Sequence, residues 1–203
     1  MKKIKLLIIM CFGLLWAQST TELHNKLNAR YEGLQSFQAE VKQTNYFSQI
    51  KKSIVYHGKL YFIPGRMVMH FEKPSVQRLH VSSGTAELFD AASNTLLRSK
   101  MLPEFGKMNP VEILQHYWSK SEVSIVSSEK NMTNLSLIPQ KDPMIKELNA
   151  KVDATSGLVH SLGYSDASGN TVTYQFSNIR TNQSIPASVW SFSYPKDVQV
   201  ISQ

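Results

Sequence analysis

Apolar and polar residues alternate most regularly over residues 57 to 84, HGKLYFIPGRMVMHFEKPSVQRLHVSSG. A repeat of two places alternate side chains on one face of a β-strand. Pro64-Gly65 and Lys73-Pro74 interrupt the alternation, so the stretch predicts three short strands in an antiparallel meander. One face of these strands is apolar and rich in adaptable methionine: Leu60, Phe62, Met67, Met69, Phe71, Leu79 and Val81.

Further alternating segments lie on both sides of the meander. They predict strands over Ser36–Gln43, 44–56 (a hairpin tip and a second strand), Leu88 toward Leu96, Glu122–Ser127, Asn134–Pro139, Ile145–Asp153, Leu158–Tyr164, Thr171–Ser177 and Ser188–Tyr194. Apolar residues at alternate positions in these strands include Phe37, Val41, Tyr174, Phe176, Trp190 and Phe192. Repeated strands at this spacing predict a mainly β (α+β) fold with a single antiparallel sheet, curved or barrel-like.

Two segments instead carry apolar residues at spacings of three and four, which is typical of helices. The first runs from about Thr20 to Glu32 and is followed by Gly33, a residue suited to ending a helix. The second covers about Pro110–Ser119, where Asn109 is a preferred N-cap and proline suits the first helical position. This short helix has a wide apolar face and follows a glycine-containing segment. We therefore predict that it forms a lid, with Ile113, Leu114, Tyr117 and Trp118 as the candidate lid residues.

The first 17 residues have the pattern of a secretory signal, with three lysines followed by an apolar run too short to span a membrane. Cleavage after Ala17 or after Ser19 fits the pattern, and the first is favoured because it keeps a Ser19–Glu22 capping box for the next helix. The only cysteine, Cys11, would be removed with the signal. We therefore expect an exported, soluble single domain over residues 18–203 that folds without disulfides.

Charge and motifs exclude several kinds of function. The net charge is +7, but without the three lysines of the signal the 22 basic residues become 19 against 15 acidic ones, which leaves +4. No basic run stands out, so a nucleic-acid partner is not expected. The six histidines do not fall at metal-ligand spacing, and nucleophile-elbow, phosphate-loop and dinucleotide motifs are missing from the sequence. We expect no enzyme activity, no metal and no cofactor.

The apolar face of the predicted sheet has two possible roles. Alternating methionine and aromatic residues most often form an ordinary protein core. However, a single curved sheet has more inner surface than two short helices can cover, and exported proteins with large apolar cavities commonly bind apolar ligands. On the second interpretation the cavity lining comprises Phe37, Val41, Leu60, Phe62, Met67, Met69, Phe71, Leu79, Val81, Tyr174, Phe176, Trp190 and Phe192.

The order of short motifs resembles that of the LolA family, the periplasmic carriers of outer-membrane lipoproteins. The resemblance extends over nearly all of residues 18–203, although each motif is degenerate. It is carried by Leu34-Gln35-Ser36-Phe37-Gln38-Ala39, Gln43, Gly58-Lys59-Leu60-Tyr61, Pro64, Pro74, Gln77, Val81-Ser82-Ser83-Gly84, the Asn109-Pro110 helix start, the Asp166–Gly169 turn, Asn182, Ile185-Pro186, Trp190, Phe192, Pro195, Val198 and Val200.

The resemblance implies an incomplete antiparallel β-barrel whose helices form a lid over an acyl-chain cavity. It also implies a monomeric periplasmic chaperone that receives acylated lipoproteins from an inner-membrane transporter and passes them to an outer-membrane receptor. The family often has Arg before the first strand-turn proline (Pro64 here), where it is thought to hold the lid closed, and it usually has Asp before the glycine that corresponds to Gly84. Here these positions are Ile63 and Ser83. A periplasmic lipid or glycolipid carrier and a lipoprotein-sensing protein of the same fold are alternatives.

Overall fold

A computed structural model describes residues 19–100 and 110–202. The predicted signal and the break at residues 101–108 lie outside the described residues. Over these two ranges the chain forms one sheet of twelve strands with two short helices, in the chain order α1 (Thr20–Tyr31), β1 (Phe37–Phe47), β2 (Lys52–Ile63), β3 (Arg66–Lys73), β4 (Gln77–Ser82), β5 (Thr85–Asp90), β6 (Thr95–Lys100), α2 (Pro110–Trp118), β7 (Ser121–Glu129), β8 (Met132–Pro139), β9 (Ile145–Asp153), β10 (Val159–Asp166), β11 (Thr171–Thr181) and β12 (Gln199–Ser202).

The sheet is open. Its strand order is β12-β6-β5-β4-β3-β2-β1-β11-β10-β9-β8-β7, so β12 and β7 are its two edges. Neighbouring strands are antiparallel except β12, which pairs with β6 in parallel. The predicted single curved sheet forming an incomplete barrel is therefore confirmed, and the parallel edge strand is a feature that the sequence pattern did not predict.

Helix α1 begins and ends where its end signals place it. The Ser19 hydroxyl accepts a hydrogen bond from the Glu22 backbone N–H at 3.1 Å, which is one half of the predicted capping box. At the other end, Gly33 has a φ of +68° immediately after the helix. Leu23 and Leu27 are fully buried, so the apolar stripe of this helix faces the sheet. No helix among the described residues is long and apolar enough to cross a membrane.

The predicted meander is confirmed as β2, β3 and β4. In register, Leu60 lies opposite Met69, and Met69 lies opposite Leu79. These three residues therefore share one face of the sheet, which we call the concave face because both helices pack against it. Val68 pairs with His80 on the other, outer face. The period-two pattern thus assigned the two faces of the meander correctly.

Two strand predictions were wrong. The segment from Leu88 to Leu96 is a hairpin in which β5 and β6 are joined by a turn at residues 91–94, with Asn94 at a φ of +49°. Polar Ser93-Asn94 and a left-handed Asn are turn signals that the apolar residues around them obscured. The second error is Ser188–Tyr194, which contains a 3₁₀ helix over Ala187–Val189 followed by irregular chain.

The chain from 182 to 198, which we call the strap, crosses the outer face of the sheet. The Gln38 side-chain amide donates to the Ser184 carbonyl at 3.1 Å, and the Arg78 guanidinium donates to the Val189 carbonyl at 2.6 Å. Further along, the Tyr194 hydroxyl donates to Glu87 Oε2 at 3.1 Å. Because side chains of the sheet satisfy these polar groups of the strap, the strap does not need a neighbouring strand.

Gly58 permits close contact between β2 and β3. The pairing of these strands shifts between His57 and Gly58. A Cβ atom at Gly58 would overlap the His70 carbonyl oxygen and lie 2.6 Å from Phe71 Cα. Both obstacles are backbone atoms, so a side-chain rotation cannot relieve the overlap.

Replacing Gly58 by Ala is therefore expected to lower the free energy of unfolding by about 2–4 kcal/mol, because β2 and β3 must separate locally. Urea unfolding followed by circular dichroism measures this loss. Gly163→Ala is the matched control: its Cβ would lie 3.1 Å from the movable Thr173 Oγ1 and 3.2 Å from the Val172 carbonyl oxygen. Equal losses in the two variants would contradict this account of Gly58.

Candidate functional site

The concave face has an aromatic floor where β1 meets β11. Phe37 and Phe176 are buried and meet edge to face, with ring centroids 6.2 Å apart. Tyr174 stacks parallel to Phe176 at 6.5 Å. The hydroxyl of Tyr31 on α1 accepts the Val159 backbone N–H at 3.1 Å, and burial raises the pKa of this tyrosine to about 12. These contacts attach α1 to the sheet beside the aromatic floor.

Most of the predicted cavity residues do share the concave face. Phe37, Val41, Leu60, Phe62, Met69, Phe71, Val81 and Phe176 are buried, while Met67, Leu79 and Tyr174 are half-buried. All except Val81 belong to, or pack against, one apolar cluster that also contains helix residues. The two interpretations therefore coincide in this structure, because residues predicted to line a cavity form part of a core under the helices.

Helix α2 contributes the predicted lid residues to the same cluster. Leu114 is fully buried, Tyr117 and Trp118 are nearly so, and Ile113 is half-buried. The Trp118 ring stacks on His24 of α1, with centroids 4.6 Å apart and planes 6° from parallel. Burial lowers the pKa of His24, which favours the neutral ring in this stack. Trp118 therefore joins the two helices as well as covering the sheet.

A few polar contacts hold α2 in place. The Gln115 side-chain amide donates to Asn28 Oδ1 on α1 at 2.9 Å. The Tyr117 hydroxyl donates to Asp142 Oδ2 at 2.7 Å, and Asp142 Oδ1 accepts from the backbone N–H groups of Met144 and Ile145 at 2.8 Å each. These hydrogen bonds lower the pKa of Asp142, while burial and the nearby carboxylate raise the pKa of Tyr117. The Tyr117–Asp142 pair thus fixes the C-terminal end of α2.

The concave face is more open on the β3–β6 side. Helix α1 lies closest to β7, and α2 lies closest to β7, β8 and β10. Across the sheet, Leu79 pairs with Leu88 and Leu88 pairs with Leu97, which continues the concave face to β6. Leu88 is 38% exposed, although its position in the sheet is otherwise that of a core residue. The apolar surface therefore extends beyond the area that the helices fill.

Trp190 and Phe192 do not lie with the other predicted cavity residues. They belong to the strap on the outer face, where the Arg66 guanidinium lies 4.9 Å from the Trp190 ring centroid and that of Arg78 lies 4.9 Å from Phe192. Phe192 also contacts Phe89 of β5, at 5.7 Å between centroids. The two guanidinium–ring contacts have the geometry of cation–π interactions, and the Phe192–Phe89 contact that of aromatic packing. Their expected alternation with Tyr194 was misleading because the segment is not a strand.

Sequence reasoning missed His24, Asp142 and Leu88 as parts of this site. Leu88 could have been found by dividing the long strand prediction at Ser93-Asn94, which restores its alternation with the meander. His24 follows Leu23 on α1, and its position at the edge of the apolar stripe was a weak signal. Nothing local in the sequence pairs Asp142 with Tyr117, because the two residues belong to different elements.

An open curved sheet with an apolar concave face beneath two helices is an architecture suited to binding apolar ligands. The profile of the family described as "Outer membrane lipoprotein carrier protein LolA" matches residues 32–193. The chain therefore belongs to the LolA family, as its motif order suggests.

Two curated relatives have the same description. An outer-membrane lipoprotein carrier protein of Ralstonia nicotianae is 28% identical over 144 residues, which are 69% of this chain and 66% of the relative. A protein of that name in Cupriavidus pinatubonensis is 25% identical over 147 residues, with the same coverage of 69% and 66%. The matched region thus spans just under two thirds of the length of each relative.

Solved structures share the fold at low sequence identity. An uncharacterized conserved protein from Thermus thermophilus aligns with a TM-score of 0.57 at 12% identity, covering 92% of this chain and all of that one. The Pseudomonas aeruginosa MucA/MucB complex structure aligns with a TM-score of 0.51 at 12% identity, covering 85% of this chain and 60% of that one. At this identity the likeness concerns the fold alone.

The Tyr117–Asp142 pair predicts a specific dependence of stability on pH. The folded-state pKa of Asp142 is lowered, so its contribution is complete above the ordinary aspartate pKa of 3.8 and is lost as pH falls through the lower folded value. The free energy of unfolding should fall as the parent protein is acidified, and we expect a smaller fall in Asp142→Asn. Urea unfolding between about pH 2.5 and 7 measures the difference.

Tyr117→Phe is the companion variant for this test. It removes only the hydroxyl and is expected to cost about 1 kcal/mol at neutral pH while also weakening the acid dependence. Asp197→Asn, in the strap, provides a control far from Asp142. An acid limb that is identical in the parent protein and both lid variants would contradict the proposed role of the pair.

Proposed function

We propose that this protein is a periplasmic carrier that binds the acyl chains of lipoproteins on its concave face and carries them from the inner to the outer membrane. The observation that carries the proposal is the extent of that face in a LolA-family chain. The face continues from the apolar cluster that contains the helix residues to Leu88 on β5 and Leu97 on β6, where Leu88 is 38% exposed. An apolar surface that continues past its helical cover offers a place for acyl chains.

The energetics require a protein of this kind for such cargo. Three acyl chains contain about 45 methylene groups, and at ~0.8 kcal/mol each their exposure to water costs on the order of 35 kcal/mol. A carrier must bury these chains and still release them to an acceptor. Met67 and Met69 suit this task because methionine side chains are flexible and adapt to irregular apolar surfaces.

Loading requires α2 to move in this proposal. Leu114 and Trp118 occupy the space against the sheet, so acyl chains that enter between helix and sheet must displace them. Besides its buried apolar side chains, α2 is held by specific contacts that include the Trp118–His24 stack, the Gln115–Asn28 hydrogen bond and the Tyr117–Asp142 hydrogen bond. Contacts of this kind can be exchanged without unfolding the sheet.

Ile63 has a consequence for the lid. It occupies the position where the family often has Arg, and an isoleucine side chain cannot donate hydrogen bonds to a helix. We propose that the Tyr117–Asp142 and Gln115–Asn28 contacts hold the lid in its place. The same proposal includes an inner-membrane transporter from which the protein receives lipoprotein and an outer-membrane receptor to which it releases it.

Fluorescence tests acyl binding directly. Downstream of the predicted signal the tryptophans are Trp118, on the lid helix α2 and facing the sheet, and Trp190 on the outer face. A fatty-acyl probe is expected to change tryptophan emission in the parent protein and in Trp190→Phe, but not in Trp118→Phe. Titration with an acylated lipopeptide should displace the probe. A response that persists without Trp118 and is lost without Trp190 would contradict binding under the lid.

Leu88 distinguishes a binding surface from a core. Leu88→Asp is expected to change the unfolding free energy by less than about 1 kcal/mol, because the side chain already reaches water. Acyl-probe affinity should nevertheless fall at least roughly tenfold, since a hydrated carboxylate would lie on the apolar path. Ile138→Asp is the matched control, because Ile138 is exposed on β8 outside the concave face. Unchanged affinity in Leu88→Asp would contradict acyl binding on the β3–β6 side.

A further inference from the structure

The hairpin between β1 and β2 ends in an exposed apolar and basic tip, residues 47–54 (FSQIKKSI). Ile50 at the turn is 62% exposed, and Phe47 and Ile54 are 37% and 38% exposed. Lys51 and Lys52 lie beside them, are both exposed, and the tip contains no acidic residue. Three exposed large apolar side chains beside two lysines make this tip a candidate interaction surface.

Hydrogen bonds join the tip to the turn between β10 and β11. The Ser48 backbone N–H donates to Asn170 Oδ1 at 3.0 Å, and the Ser48 hydroxyl donates to the Ser168 carbonyl. The turn that receives these bonds is itself ordered, since Asp166 Oδ1 accepts the backbone N–H groups of Ser168 and Asn170 at 2.8 and 2.9 Å. Two successive sets of hydrogen bonds therefore support the loop that carries the exposed apolar side chains.

The tip is also continuous with the concave face. Asn45 pairs with Ile54, and Val41 pairs with Gly58, so Ile54, Tyr56, Gly58 and Leu60 follow one another on that face of β2. Tyr56 contacts Phe71 at 5.5 Å between centroids. An apolar path thus runs along β2 from the exposed tip to the buried core.

We propose that this tip docks on an anionic lipid bilayer, with Ile50 and its apolar neighbours entering the headgroup region and Lys51 and Lys52 pairing with lipid phosphates. A side-chain set this small falls well short of the area that a stable protein interface buries. Apolar side chains flanked by lysines fit an interfacial site, where each lysine near an anionic surface contributes about 1 kcal/mol. Docking would place the concave face beside the membrane that supplies or receives acyl chains.

Vesicle flotation tests the proposal with protein expressed as the full chain and purified after its natural processing, with the start residue checked by mass spectrometry. The parent protein is expected to bind phosphatidylglycerol–phosphatidylethanolamine vesicles, to bind phosphatidylcholine vesicles poorly, and to dissociate as salt rises. Lys51→Gln with Lys52→Gln should lower binding about 25-fold, from about fivefold per lysine. Ile50→Ser should lower it roughly tenfold.

The loop between β8 and β9 provides matched controls. Met144 there is 74% exposed and lies between two exposed lysines, Lys141 and Lys146. Met144→Ser, and Lys141→Gln with Lys146→Gln, should leave vesicle binding unchanged. Loss of binding in these variants but not in the tip variants would overturn the proposal.

A site-specific probe tests insertion itself. The only cysteine, Cys11, precedes the expected cleavage site, so Ile50→Cys and Met144→Cys each provide a single thiol for an environment-sensitive dye. Anionic vesicles should shift the emission of dye at position 50 to shorter wavelength and leave dye at position 144 unchanged. Equal emission shifts at positions 50 and 144, or no shift at either, would overturn docking through the tip. Binding that occurs only when the vesicles contain a membrane protein would also overturn it.

The docking test is independent of acyl binding. Acyl-probe titration without vesicles measures the concave face, while flotation of unloaded protein measures the tip. Ile50→Ser should retain the acyl-probe affinity of the parent protein. Failure of flotation with normal probe binding would therefore reject the docking site and leave the carrier proposal standing.

Discussion

The structure depends on the contact between a wide apolar sheet face and two helices too short to cover it. Burying the face under α1 and α2 stabilises the fold in proportion to the apolar area removed from water. The covered part, with Leu23, Leu27 and Leu114 fully buried, is an ordinary core. Toward β6, Leu88 remains open. The same face thus stabilises the fold where the helices cover it and leaves apolar surface exposed toward β6.

The outer face of the sheet is secured in a different way. There the strap is attached by specific polar and aromatic contacts, including those of Arg78, which is only 6% exposed. One guanidinium nitrogen of Arg78 donates to the Val189 carbonyl and the group lies over the Phe192 ring, which offsets part of the cost of burying the charge, while its Nε has no hydrogen-bond partner among the described residues. These contacts are directional and fix the position of the strap, whereas burial of the concave face depends mainly on apolar area. The two faces of the sheet are therefore stabilised by different kinds of interaction.

The lid and the hairpin tip are attached to the sheet in different ways. Helix α2 packs against β7, β8 and β10 and buries Leu114 and Trp118 in the apolar cluster. The tip instead extends β1 and β2 beyond that cluster and leaves Phe47, Ile50 and Ile54 exposed. Burial of apolar side chains therefore secures the helix, whereas hydrogen bonds to the turn between β10 and β11 support the tip.

The sequence by itself determined the elements and the faces of the meander. Period-two alternation placed Leu60, Met69 and Leu79 together correctly, and Ser19 and Gly33 marked the ends of α1, because these effects act between residues close in the chain. Tertiary structure decided the rest. Trp190 and Phe192 lie on the outer face because Arg66 and Arg78, more than a hundred residues earlier, hold the strap there. Asp142 meets Tyr117, and β12 pairs in parallel with β6, through contacts that no local pattern encodes.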